Sequence, residues 1–362
     1  MMDLIIRAFC IIALEKILSK SNLQKRAKSE GFPPILSFFS RVMMKKVIKP
    51  PLRSLLMEMC MHNEILQRIC EGVASMVGEF DNPYIQELFS KISCGKMLRS
   101  RLILAIAGES EESIKLCSII ELIQLASLLH DDVIDEAMKR RGVDSLNALY
   151  GNKNAIMLGD VLYSKAYYHL LSLPTKVAKC VANSVCLLSS GEIRDVFMAK
   201  SFNPSMQEYI LMIEEKTASL IASSAKASAS LIGEDEEAYH HYGLCLGIAF
   251  QIIDDVLDIT QSEQVLGKPS MNDFREGKTT LPYIKLYHSL PENEREKLVL
   301  LHNKELNEEQ KKWLFESFEK YGSIKESIEI AKQYAQSATS KLQKGYNPKL
   351  DEMIEAMIQR SF

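Results

Sequence analysis

From Leu52 onward, apolar residues return every third and fourth position, as in "LCSIIELIQLASLLHDDVID", "AIMLGDVLYSKAYYHLL" and "ASLIASSAKASASLI". That spacing lays them along one face of a helix, and the strict alternation of a half-buried strand is scarce. Breaks fall at "EFDNPY", "YGNKN", "SLPTK", "SFNPS", "GKPSMNDFREGKTTLP" and "SLPEN", where Gly, Pro, Asn and Ser end helices and make turns. The pattern predicts roughly ten or more helices and an all-α fold, a single large bundle.

One motif occurs twice without any wider repeat. "HDDVIDE" carries Asp131, Asp132 and Asp135, and "IDDVLDI" carries Asp254, Asp255 and Asp258, each DDxxD closing an apolar helical run. Residues four apart on a helix lie over one another, so Asp131 and Asp135 share a face, with Asp132 on its flank. Carboxylates grouped in this way repel one another unless a cation sits among them. Mg2+ takes hard oxygen ligands in octahedral geometry and completes its shell with substrate phosphates, so two facing clusters suit a diphosphate gripped through bridging Mg2+. The competing reading, a solvated acidic helix end, does not explain why both clusters follow apolar runs.

Basic residues accompany the acids. "SCGKMLRSRL" places Lys96 and Arg99 after a glycine that can open a helix, where free N–H groups favour an anion. Arg140 and Arg141 follow the first cluster, and guanidinium forks match phosphate oxygens in pairs. Lys216, Lys268 and Lys278 come later; any one of them alone reads as a surface lysine. A di-iron bundle would need two ExxH pairs, and only Glu237 with His240 has that spacing. No GxSxG or P-loop motif occurs, and His130 reads as a packed or hydrogen-bonded side chain.

Length and charge bound the remainder. The chain has 362 residues and a formal net charge of −3, an ordinary globular balance that gives no reason to expect a nucleic-acid partner. Two domains would fit that length, yet no linker interrupts the chain after about residue 55, so residues 56–362 read as one domain. Residues 1–55 stand apart as a basic extension, in which Arg7, Lys16, Lys20, Lys25, Arg26, Lys28, Arg41, Lys45, Lys46 and Lys49 meet only Asp3, Glu15 and Glu30. Its apolar run "LIIRAFCIIAL" is shorter than the ~20 residues a bilayer span needs. Three readings stay open: a dispensable extension, an amphipathic segment making peripheral membrane contact, and an organellar presequence, with the first two preferred. The eight cysteines are scattered without a CxxC pair, which points to free thiols in a reducing compartment, hence the cytoplasm.

These motifs together resemble the trans-type polyprenyl diphosphate synthases over about residues 85 to 285. "GKMLRSRL" is similar to the family's GGKRLRP element, "LLHDDVIDEAMKRRG" to its first aspartate-rich motif, and "GIAFQIIDDVLD" with "LGKPSMNDFREGKTTLP" to its second. The resemblance implies an all-α homodimer whose subunits each hold two diphosphates in a central cavity. It implies that the six aspartates hold Mg2+ against an allylic diphosphate, assisted by Arg140, Lys216 and Lys268, and that Lys96, Arg99 and Arg141 bind isopentenyl diphosphate, with Lys278 also on the substrate side. Thr217 and Gln251 would lie near the developing allylic cation, and Phe250 near the isopentenyl group.

Two departures and one size argument refine this expectation. Gln124 stands where the family has His, seven residues before Asp131 and on nearly the same face; it donates a neutral hydrogen bond but cannot become cationic, so it should bind isopentenyl diphosphate more weakly. Ser100 and Cys94 replace a Pro and a Gly and are expected to alter loop stiffness. Ala126 and Ser127, small residues one turn before the first cluster, would leave the tail's path open where short-product relatives carry bulky aromatics. That favours a long product of octaprenyl type, the alternative being that small residues here only permit close helix packing. The rival functions are a short-chain synthase, a terpene cyclase and a non-catalytic subunit of a heteromeric synthase.

Overall fold

The computed structural model describes residues 50–92, 95–140, 142–261 and 271–359, with side chains from residue 64 onward. The basic extension therefore lies outside the described residues up to Pro50. Leu66–Phe362 forms one compact unit, which holds both aspartate clusters.

The described elements are helical apart from one two-residue hairpin, in agreement with the all-α reading. Helix α1 (Pro50–Gly78) leads to α2 (Pro83–Phe89), α3 (Leu98–Ala107) and α4 (Glu111–Ile134). The hairpin pairs β1 (Lys139–Arg140) with β2 (Val143–Asp144). Then come α5 (Leu146–Tyr150), α6 (Asn152–Leu170), α7 (Thr175–Met198) and α8 (Met206–Ile213). A π-helical turn, Glu214–Ala218, joins α8 to α9 (Ser219–Ile232), and α10 spans Glu236–Thr260. Six further helices, α11 (Asn272–Arg275), α12 (Leu281–Ser289), α13 (Glu292–Leu301), α14 (Glu308–Tyr321), α15 (Ser323–Ala338) and α16 (Lys349–Gln359), complete the order.

Local chemistry explains the ends. Ser110 accepts from the Ser113 amide while Ser113 bonds back to Ser110 N, capping α4 at its start. Asp235 accepts from the Glu237 and Ala238 amides and opens α10. Helix α4 is long and apolar enough to cross a membrane, but most of it is buried against neighbours: Leu116, Ile119, Ile120, Leu122 and Ile123 are all fully enclosed. It packs on α6, α9 packs on α10, and α10 packs on α15. The helices α4 and α10 therefore run through the interior, and each ends in a DDxxD cluster.

Candidate active site

Asp131 and Asp132 fall in the last turn of α4, and Asp135 is its C-cap. The C-terminus of a helix dipole disfavours anions, so this end needs cations from elsewhere. The hairpin supplies one: Arg140 Nε donates to Asp132 Oδ1 at 2.7 Å, and Asp132 is buried. Burial pushes the Asp132 carboxyl up and Arg140 opposes it. Asn147 Nδ2 donates to the carbonyls of Asp132 and Ala137 and fastens the hairpin to the helix end. The second cation comes from far along the chain. Lys278 Nζ donates to Asp135 Oδ1 at 3.0 Å and to Glu276 Oε2 at 3.1 Å. Burial works against its ammonium, but Asp135, Asp273, Asp195 and Glu276 outweigh that and hold its pKa well above the ordinary range. Lys278 is thus not a surface lysine; it ties the segment that follows the second cluster to the first.

In the second cluster only Asp254 is exposed; Asp255 and Asp258 are buried. Asp255 accepts from Tyr209 at 2.6 Å and from Gln251 Nε2 at 2.8 Å, so both its oxygens are committed. Burial and the nearby Asp273 push its carboxyl well up, while the two donated hydrogen bonds pull the other way. Asp258 accepts from the backbone amide of Asp273 at 3.1 Å, and its carbonyl accepts from the Met271 amide at 2.9 Å. It thereby anchors the chain that returns toward Lys278. Lys268, like Arg141 and Cys94, lies outside the described residues.

The π-helical turn presents Lys216 and Thr217. A π turn closes with an i→i+5 bond, here from Ser219 N to Glu214 O, and such turns recur at functional sites. Gly191 on α7 makes room for it: a Cβ there would stand 2.3 Å from Lys216 N and 2.7 Å from its Cα. On the opposite side, a Cβ at Gly247 would meet Ala218 Cα at 2.6 Å. Lys216 Nζ reaches Asp195 Oδ2 at 2.7 Å and Glu192 Oε2 at 2.9 Å. Burial opposes its charge, but Asp195, Asp131 and Glu192 together hold its pKa above the ordinary range. Glu192 in turn is pushed up by burial, against the pull of Lys216, to about 7. Thr217 Oγ1 donates to Gln251 Oε1 at 2.8 Å, so the two residues expected near an allylic cation are in contact.

On the other side, α3 begins after Met97, whose φ of 52° turns the chain sharply into the helix. Lys96 is exposed and Arg99 half-buried. Burial brings the Arg99 guanidinium down to about 10, with Glu121 opposing, and its Nε has no hydrogen-bond partner among the described residues. Ser100 belongs to the buried face of α3 rather than to a loop, and its hydroxyl donates to Glu121 Oε1 at 2.6 Å. The expected effect on loop stiffness is therefore replaced by a buried polar tie between α3 and α4. Gln124, one turn after Glu121, is half-buried, with no side-chain hydrogen bond among the described residues. Phe250, next to Gln251 in sequence, packs against the core. Ala126 is fully enclosed, and Ser127 is buried with its hydroxyl turned back onto the Gln124 carbonyl at 2.9 Å. His130 is held as expected, with Nε2 3.1 Å from the Ile156 carbonyl.

The sequence reading missed Glu192, Asp195, Tyr209, Asp273 and Glu276. Glu192 and Asp195 left a signal, two acids three apart on one helix face in "GEIRDVF". Tyr209 left none, since only the fold brings α8 to the end of α10. The donor set suits a hard divalent ion. Among the described residues no three acidic or metal-ligating side chains already stand close enough to cage one. An octahedral ion completed by substrate oxygens does not require such a cage.

The sequence profile of the polyprenyl synthetases matches residues 82–318. The chain belongs to the polyprenyl synthetase family. Octaprenyl pyrophosphate synthase from Helicobacter pylori is 43% identical and superposes with a TM-score of 0.79 over 82% of this chain and 99% of that one. Solanesyl diphosphate synthase 2 of Arabidopsis thaliana chloroplasts is 32% identical over 317 residues, covering 82% of this chain and 74% of that protein. A polyprenyl synthase from Caulobacter crescentus, solved with calcium and isoprenyl diphosphate, is 27% identical with a TM-score of 0.76 over 83% of this chain and 96% of its own. As a member of this family the chain is a prenyltransferase that acts on prenyl diphosphates with a divalent metal.

Proposed function

We propose that this chain adds isopentenyl diphosphate head to tail onto an allylic diphosphate, releasing a long-chain all-trans polyprenyl diphosphate of octaprenyl type, suited to a quinone side chain. The observation that carries the reading is that Lys278 bonds Asp135 of the first cluster while the segment bearing it is anchored at Asp273 to Asp258 of the second, with Lys216 held in part by the charge of Asp131. Asp131, Asp135 and Asp254 are the carboxylates best placed to take Mg2+, because Asp131 and Asp135 are half-buried and Asp254 is exposed, whereas Asp132, Asp255 and Asp258 are buried. When bound, Mg2+ supplies neutralisation of the charge that builds on the departing diphosphate. Lys216 adds a fixed positive charge to the same group, and low local polarity strengthens it. Arg99, half-buried and with its enclosed Nε unpartnered among the described residues, is oriented for the second diphosphate, together with Lys96 and Gln124. The isopentenyl double bond attacks the allylic cation, and the proton it loses passes to the released diphosphate; no side-chain nucleophile takes part.

Ala126 and Ser127 support the long product as small residues beside the first cluster, and the long-chain relatives point the same way. A homodimer is supported by exposed apolar residues four apart on α7, Ile193 at 62% and Phe197 at 64% exposure, and by exposed Tyr168 and Met157 on α6. Free cysteines, five among the described residues, support a cytoplasmic enzyme. Peripheral membrane contact through the basic extension would suit an apolar product. The test is incubation of the purified chain alone with farnesyl diphosphate, labelled isopentenyl diphosphate and Mg2+, followed by chromatography of the products. Extension to about eight isoprene units supports the reading; termination at four or fewer gives the short-chain alternative, and no extension gives a subunit that needs a partner.

A further inference from the structure

We propose that Tyr209 is a positioning residue for prenyl transfer, fixing through Asp255 and Gln251 which end of the Thr217 hydroxyl faces the reacting allyl group. The inference rests on the reading that Thr217 and Gln251 border the allylic cation. Tyr209, on α8, is fully enclosed, and its hydroxyl donates to Asp255 Oδ2 at 2.6 Å. The other oxygen of Asp255 accepts from Gln251 Nε2 at 2.8 Å, one turn earlier on α10. An amide has a donating and an accepting end, so holding the Gln251 NH2 on Asp255 forces its Oε1 to the far side. There Thr217 Oγ1 donates to it at 2.8 Å.

The donations therefore converge on Asp255, from Tyr209 on one side and from Thr217 through Gln251 on the other. A threonine hydroxyl carries one proton, and here that proton is spent on Gln251. The lone pairs of Thr217, and the remaining lone pair of Gln251 Oε1, are what the pair can offer to a positive charge. Were Gln251 reversed, its NH2 would meet Thr217 and turn the hydroxyl proton outward, placing a positive end where positive charge develops.

Tyr209 guards against that reversal by geometry. Its hydroxyl holds Oδ2 of Asp255, which leaves Oδ1 facing the Gln251 amide. A phenylalanine at position 209 would leave Oδ2 without its donor, so the carboxyl group could turn about its own bond and release the amide from the orientation that Thr217 requires. The same bonds also staple the two flanks of the π-helical turn, α8 through Tyr209 and the turn itself through Thr217, onto α10.

The test is a double-mutant cycle in kcat between Tyr209→Phe and Thr217→Val, assayed on the full chain with farnesyl and isopentenyl diphosphates. Tyr209→Phe alone should lower kcat about 10-fold or more with both KM values within about twofold. In the Thr217→Val background, where no hydroxyl remains to orient and only Gln251 Oε1 is left to place, Tyr209→Phe should cost several-fold less than it does in the wild type. Residues that do not touch and act independently would instead give multiplying losses. Multiplying losses, an unaltered kcat in Tyr209→Phe, or a loss expressed in KM would overturn the proposal while leaving the enzyme's function standing. Absence of chain extension by the wild-type protein would overturn the functional reading itself. Should Tyr209→Phe fail to fold, Tyr209→Met, which also removes the hydroxyl while filling much of the space, takes its place in the same cycle with Thr217→Val, and the same non-additivity is required.

Discussion

Gln124 and Glu192 are the two residues whose chemistry can be read most directly in solution. Gln124 is half-buried, with no side-chain partner among the described residues, on the helix that carries Asp131. An imidazole there can take a positive charge that an amide cannot. Gln124→His should lower the KM for isopentenyl diphosphate by about 3- to 10-fold with little change in kcat. An unchanged KM and unchanged direct binding of that diphosphate would show that position 124 does not meet it. Glu192 gives a pH signature. Its carboxyl is pushed up to about 7 by burial, so between about 4.5 and 7 the folded protein holds a proton that the unfolded chain releases. Stability from this group is complete below about 4.5 and is lost as pH rises through 7. Thermal melting from pH 5 to 8 should show a decline that Glu192→Gln abolishes; a slope unaffected by the substitution would assign it to another group. Both aspartate clusters were legible because the DDxxD spacing is local. The partners of the individual aspartates were not, because Asp132 meets Arg140, Asp255 meets Tyr209 and Gln251, and Asp258 meets the Asp273 backbone. The distant ones among these are neighbours only after folding.

At the scale of helices, periodicity located the bundle and its breaks, since an apolar stripe of period 3.6 has no other use in a chain of this composition. It gave no notice of the π-helical turn, which lies inside what reads as one uninterrupted helix. The turn is held by close approach on both sides, at Gly191 and at Gly247. Gly191→Ala puts a methyl group against backbone rather than against a flexible side chain, so α7 or the turn must shift. The expected cost is about 1–3 kcal/mol of stability, read as a lowered melting temperature. A loss of kcat well beyond that accounted for by unfolded protein should accompany it, as Lys216 leaves Glu192 and Asp195. Wild-type melting and turnover in Gly191→Ala would mean that the turn adapts freely.

For the whole molecule, the family and the all-α architecture were both legible, because four separated motifs agree on one reaction. Product length is less so. Ala126 and Ser127 are small and buried, as both the open-path and the close-packing readings require, and the fold alone does not choose between them. Ala126→Phe does: chromatography should show a product shorter by one or more isoprene units. A product of unaltered length from a folded variant would assign the limit to another wall.

The π-helical turn has a consequence for the chain as a string of letters. One extra residue in a helix advances everything after it by about 100°, a quarter turn and a little more. Helices α8 and α9 are thus a single rod written in two reading frames, with Glu214–Ala218 as the splice. Deleting one residue there would not shorten a loop or remove a contact; it would rotate Ser219–Ile232 bodily, carrying its small buried serines and alanines away from α10. An insertion that a surface loop would absorb unnoticed is, in this place, what keeps the two halves of the helix in phase with the rest of the enzyme.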